Sequence, residues 1–266
     1  MSKYQIGYNE NIIKSMKEKT AVDSARFLLT YLKPEMNLLD CGCGPGGISI
    51  SLAEILNKGN LIGIDIEQSQ IEIAEKIALE KNVKNIQFKL ADIFHLPFAD
   101  NSFDVVFTHA TLYHLNSPVK ALKEMLRVIK PGGIMAAREP DTQAIMLWPQ
   151  NDLIEKAQKL RNEFLAASGT DLTMGRKLRS IFIESGFVNV TGYASCDAKG
   201  TKESLESVIN YLTSELVDTP FGKNLIKENL TNSDEIKELQ RAYKSLTYES
   251  GAFISFTWGE AIGYKK

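Results

Sequence analysis

Asp40-Cys41-Gly42-Cys43-Gly44-Pro45-Gly46-Gly47 is the stretch whose reading decides the fold. It follows a short apolar run, Leu38–Cys41, and opens an amphipathic one, Ile48–Leu56. Glycines between a strand and a helix let the backbone turn tightly and approach a ligand at the free N–H groups of the helix start. Gly42, Gly44 and Gly47 match the dinucleotide fingerprint G-x-G-x-x-G, and Asp40 to Gly46 match D-x-G-x-G-x-G.

The same alternation continues outward. Leu61–Asp65 is followed by Ile71–Leu79, then Ile86–Leu90, Phe103–Thr108 with Val119–Ile129, and Ile134–Ala137. Strands alternating with helices of about 10–15 residues predict βαβ units and a parallel sheet. Runs such as Val105-Val106-Phe107, with no polar alternation, predict strands buried on both faces. The first 33 residues read as helix, ended by Pro34. After Arg138 the spacing predicts helices over Asp152–Ala167, Met174–Ser185, Thr201–Leu216 and Ser233–Leu246. A strand is expected at Val188–Tyr193, and Phe253–Tyr264 is β-rich.

Composition narrows the function classes. Of 266 residues, 44% are hydrophobic and 24% charged, the balance of a folded globular chain rather than a disordered one. The net charge of −2 argues against a protein that lives on phosphate contacts, so no nucleic-acid partner is expected. Cys41, Cys43 and Cys196 are too few and too close for a disulfide framework, and with His95, His109 and His114 they do not supply a zinc set; no metal is expected. The N-terminus lacks an apolar signal core and no window is long enough to span a membrane, which points to a cytoplasmic location.

Three carboxylates fall at successive strand ends: Asp40, Asp65 in Gly63-Ile64-Asp65, and Asp92 in Ala91-Asp92-Ile93. In open α/β sheets ligands bind at that edge. Asp40 is badly placed for a pyrophosphate and well placed for a cation. Asp65 can accept from ribose hydroxyls, and Asp92 from the amine of a base.

Asp40–Gly47, Asp65, Ala91-Asp92 with Leu96-Pro97-Phe98, Phe103-Asp104-Val105-Val106 and Arg127-Val128-Ile129-Lys130-Pro131-Gly132-Gly133 together resemble the ordered motifs of class I S-adenosylmethionine-dependent methyltransferases. The resemblance covers roughly 33–138. More loosely, the chain resembles bacterial small-molecule methyltransferases related to the quinone-biosynthesis type, through Gly175-Arg176-Lys177-Leu178, Glu184-Ser185-Gly186-Phe187 and Phe256-Thr257-Trp258-Gly259-Glu260-Ala261. It implies an α/β fold with a Rossmann-like, doubly wound, seven-stranded sheet, mostly parallel with an antiparallel last strand, plus a helical cap insertion. The expected domains are an N-terminal helical segment over the cofactor site (1–32), a core (33–196 with 251–266) and a cap (197–250, with 147–172 contributing).

By the same resemblance, Asp40, Gly42, Gly44 and Gly46 would hold the methionine part of S-adenosylmethionine. Asp65, with Ile66 beside it, would bind the ribose. Ala91, Asp92 and Ile93 would surround the adenine, and the backbone near Thr108 and His109 would border the sulfonium. Tyr8, with Tyr4, is a candidate for an aromatic cover. His109 and His114, flanking Tyr113 beyond the fourth strand, are candidates for a general base near neutral pH. Tyr113, Glu139 and Trp258 are candidates for the acceptor site; Glu139 could instead pair with Arg138. The acceptor is expected to be a small molecule, a quinone-type ring carbon being the alternative. A nicotinamide oxidoreductase or a non-catalytic cofactor-binding protein on the same layout are the competing readings. The chain could act as a monomer or a homodimer.

Overall fold

Thr20 breaks the expected single N-terminal helix, because its side chain accepts from the Asp23 N–H and starts a new one. The segment is therefore α1 (Glu10–Glu18), α2 (Ala21–Ser24) and α3 (Arg26–Leu29). The computed structural model describes residues 7–217 and 219–266, so Tyr4 lies outside the described residues. There follow β1 (Leu38–Cys41), α4 (Gly47–Ile55), β2 (Leu61–Asp65), α5 (Gln68–Glu80), β3 (Ile86–Leu90), β4 (Phe103–His109), α6 (Pro118–Val128) and β5 (Ile129–Trp148). The remainder is α7 (Asp152–Ala167), α8 (Met174–Glu184), β6 (Val188–Lys199), α9 (Lys202–Glu215), α10 (Pro220–Lys227), α11 (Ser233–Ser245) and β7 (Phe253–Tyr264).

The seven strands form one sheet in the order β3-β2-β1-β4-β5-β7-β6. β1 pairs in parallel with β2 and β4, β2 with β3, and β4 with β5. β7 is antiparallel. Lys265 at its end exchanges backbone hydrogen bonds with Gly132 and Gly133 at the start of β5. The fold is thus the Rossmann-like, seven-stranded mixed sheet expected.

The chain divides into two compact units. One comprises Met16–Pro140, Met174–Ser195 and Trp258–Lys266. Here successive residues of β1 and β4 enter opposite cores, as a period of two requires. Leu39 and Val106 pack with Met125 of α6 and Leu178 of α8, whereas Leu38, Val105 and Phe107 pack with Leu28 of α3 and Leu52 of α4. That two-sided burial explains the unbroken apolar runs.

The other unit holds the segment ending at Ser15 with Asp141–Thr173 and Cys196–Thr257. Ile154 and Leu160 of α7, Leu205 and Ile209 of α9, Phe221 and Leu225 of α10, and Leu239 and Tyr243 of α11 form its apolar core. Asn151 and Asn232 cap α7 and α11, and Thr201 with Ser204 forms a capping box on α9. α10, a helix the periodicity did not predict, is started by Thr219 and by Pro220 in its first turn. The unit boundaries fall inside β5, β6 and β7. Among the described residues no helix is long and apolar enough to cross a membrane.

Candidate active site

The glycine loop joins β1 to α4 at the carboxyl end of the parallel strands. Gly42 has φ +81°, and a Cβ built there would lie 2.3 Å from Thr111 Oγ1. Gly44 has φ +52° and a Cβ would meet nothing within 4 Å, so the loop backbone presents an open face at this point. The Gly44 N–H donates to Asp65 Oδ2 at 2.9 Å, and the Glu67 N–H donates to Asp65 Oδ1 at 2.9 Å. Two backbone donors hold that carboxylate in place, and each oxygen keeps capacity for a further donor such as a ribose hydroxyl. Burial pushes the Asp65 carboxyl above its ordinary value, against the pull of those N–H groups.

Asp40 sits at the inner end of the loop, almost fully buried, with Ser49 Oγ donating to its Oδ2 at 2.5 Å. Burial pushes its pKa up to about 7; the Ser49 bond lowers it and the Asp65 charge raises it. A buried carboxylate in this setting is relieved by a cationic ligand. Around β3, Asp92 Oδ1 accepts from the Phe94 N–H at 2.9 Å, and the Ala91 N–H donates to the Asp65 carbonyl. Ile66, 46% exposed directly after Asp65, offers an apolar surface for a flat ring, whereas Ala91 and Ile93 pack partly into the core. The set suits a ligand that carries a cation, a diol and an aromatic amine.

The segment after β4 forms the other border. Thr108 is fully buried and its Oγ1 donates to the Cys41 carbonyl at 2.9 Å, so its side chain ties β4 to β1. Ala110 adopts φ +52°, a strained conformation for a residue with a Cβ. Glu139 holds this turn: its Oε1 accepts from the Thr111 N–H at 3.0 Å and the Leu112 N–H at 2.9 Å, and its Oε2 from the Tyr113 N–H at 3.2 Å. The expectation that Glu139 contacts the acceptor or pairs with Arg138 meets a different geometry. Its side chain is fully buried and serves the backbone. Burial raises its pKa to about 7 against those three donors.

Arg138 turns instead to β7. Its Nε donates to Glu260 Oε1 at 3.1 Å, and Ser195 Oγ donates to the same oxygen at 2.6 Å. Its Nη1 lies 3.2 Å from His109 Nε2, and its guanidinium carbon lies 4.2 Å from the centre of the Trp258 indole. The Trp258 ring is 4.9 Å from the His109 ring, with Lys19 Nζ 5.5 Å from its centre. Burial, with Lys19 and Arg138 nearby, drives the His109 pKa well below the usual histidine value. His114 packs against Tyr113, ring centres 3.7 Å apart.

β4, β5 and β7 thus bring His109, Arg138 and Trp258 together, with Tyr113 and His114 on the turn beyond. Tyr8 belongs to the other unit. Sequence reasoning missed Ser49, Thr111, Lys19, Ser195 and Glu260 as parts of the site. Of these, Glu260 alone stands inside a quoted motif, Phe256–Ala261.

The chain is similar to known methyltransferases. A methyltransferase-domain family matches residues 32–186. An uncharacterised methyltransferase of Schizosaccharomyces pombe is 30% identical over 99% of this chain and 96% of its own length. A demethylmenaquinone methyltransferase of Lactobacillus johnsonii is 32% identical over 57% of this chain and 68% of its own. Among solved structures, the YcgJ protein of Bacillus subtilis superposes with a TM-score of 0.60 at 17% identity, over 91% of this chain and 97% of that one. The phosphoethanolamine N-methyltransferase 2 of Haemonchus contortus, solved with S-adenosyl-L-methionine, gives 0.59 at 15% identity, over 97% of this chain and 57% of that one. The chain belongs to the class I S-adenosylmethionine-dependent methyltransferases.

Proposed function

We propose that the acceptor of this methyltransferase is a small molecule, received over the His109–Arg138–Trp258 floor. The observation that carries the reading is that floor: an indole, an imidazole and a paired guanidinium packed at the carboxyl edge of the sheet. Such a surface suits a compact, partly aromatic acceptor, and the net charge of −2 offers no phosphate-tracking stripe. S-adenosylmethionine supplies an activated methyl group on a sulfonium. Asp40 and the Gly42–Gly46 loop would hold its methionine part, Asp65 its ribose, and Asp92 with Ile66 its adenine. Tyr113, His114 and Trp258 would line the acceptor. Positioning alone gives large rate gains in such a displacement, effective molarities reaching about 10⁵–10⁸ M.

A quinone-type ring carbon is the favoured alternative within this class, on the 32% identity to demethylmenaquinone methyltransferases. The family match leaves no support for a nicotinamide oxidoreductase. The test is a panel of phenols, amines, thiols and hydroquinones, read as S-adenosylhomocysteine release, with duplex DNA and RNA in parallel. Release stimulated only by a small acceptor supports the reading. Stimulation by nucleic acid alone overturns it.

A further inference from the structure

His109 Nε2 and Arg138 Nη1 are 3.2 Å apart in a buried setting. A guanidinium has five donors, no acceptor and a pKa too high to lose a proton in a protein. The contact can be a hydrogen bond in one way only: Arg138 donates, and the Nε2 lone pair accepts. The proton of the neutral imidazole must then sit on Nδ1. Arg138 is not free to leave. Glu260 and Ser195 hold it from β7 and β6, and the Trp258 indole covers its face.

We infer that Arg138 is the positioning residue that fixes His109 as the Nδ1–H tautomer and withdraws Nε2 from proton transfer. His109, placed at the end of β4 where a general base is expected, therefore serves as a neutral wall, its Nδ1–H turned to its own backbone. The inference refines the methyl-transfer reading and restricts the acceptors. The new bond forms from a lone pair on the acceptor, and the carbon–sulfur pair stays on sulfur. If the acceptor atom carries a proton, His109 does not remove it. Acceptors with a lone pair already available, such as a thiolate, a phenolate or a free amine, fit this floor.

The charged groups packed around the imidazole are Lys19 before α2, Arg138 on β5 and Glu260 on β7. The two cations oppose a positive histidine, and the Glu260 charge is committed to Arg138.

The experiment is an imidazole 1H–15N spectrum of protein labelled at histidine, recorded from pH 5 to 8 without cofactor or acceptor. With three histidines, variants of His95 and His114 assign the third set of signals. The expected His109 pattern is a protonated Nδ1 and an unprotonated Nε2 that does not titrate across the range. In the double variant Arg138→Gln/Glu260→Gln, which removes the pair without stranding a buried carboxylate, His109 is expected to gain an Nε2–H population and to begin titrating. A wild-type His109 protonated at Nε2, or titrating between pH 6 and 7, overturns the inference, as does a folded double variant with an unchanged His109 pattern. If the double variant fails to fold, the wild-type spectrum alone still decides. The readout needs no activity, so its failure is separable from failure of the proposed acceptor class.

Discussion

At the scale of single residues, Asp40 sets function against stability. Its carboxylate is buried with a single hydroxyl donor, an unfavourable place for a charge until a cation arrives. Asp40→Asn keeps an acceptor for Ser49 and removes the buried charge. We expect that variant to unfold at a higher temperature than the parent at pH 8 and to bind S-adenosylmethionine more weakly, as checked by calorimetry. Asp65 is raised by burial too, but two backbone N–H groups tie it to the loop and the β2 terminus and pull against that rise. Asp65→Ala should weaken cofactor binding by about 1–3 kcal/mol, the range for hydrogen bonds to charged groups. Unchanged affinity in a folded variant would exclude it from the ribose site. The place of both aspartates was legible in the sequence, because the apolar runs and the glycine loop fix where the strands end. Ser49 was not, because no local pattern marks it; Glu260 stood inside a quoted motif, but its partner Arg138 lies 122 residues away, so its pairing was not legible.

At the scale of elements, the loop after β1 and the turn after β4 are built against each other. Gly42 has no side chain because Thr111 occupies the space, and Thr111 is held there by Glu139 through its N–H. Gly42→Ala adds both a clash and an L-residue at φ +81°, which should destabilise the protein by about 1–3 kcal/mol. Chemical denaturation measures the loss, and Thr111→Ser in the same chain should recover only part of it, because Oγ1 remains. The strands and helices of the 33–138 region were readable from apolar runs and glycine punctuation, since both faces of the sheet are covered. α10 was not, because eight residues give too few turns for a periodic signal. β5 and β6 run well beyond the predicted strands, to Trp148 and Lys199. Their outer halves carry the mixed, half-exposed sequence that alternation rules assign to loops.

At the scale of the molecule, the pH dependence of stability follows from two buried carboxyls. Asp40 and Glu139 are each raised to about 7 from ordinary values of 3.8 and 4.5. Between those values the native chain binds more protons than the unfolded one, so stability rises as pH falls from above 7 towards 5, and is lost as pH rises through about 7. His109, kept neutral, opposes this below its ordinary value of 6.5, one group against two carboxyls, so the sign stays with the carboxyls. Thermal unfolding at pH 5.5 and 8.5 checks it, and Asp40→Asn should flatten the difference. In the helical unit, formed mainly by Asp141–Thr173 and Cys196–Thr257, the helices α7, α9 and α11 were foreseen. A contact-defined unit that takes the outer halves of three strands leaves no local mark on the sequence.

The sharpest test of the cofactor assignment is thermal unfolding with added ligand. S-adenosylmethionine or S-adenosylhomocysteine at about 100 times its dissociation constant should stabilise the protein by about 2.7 kcal/mol and raise the melting temperature, with NAD and NADP leaving it unchanged. A rise with NAD or NADP and none with saturating S-adenosylmethionine or S-adenosylhomocysteine would contradict it.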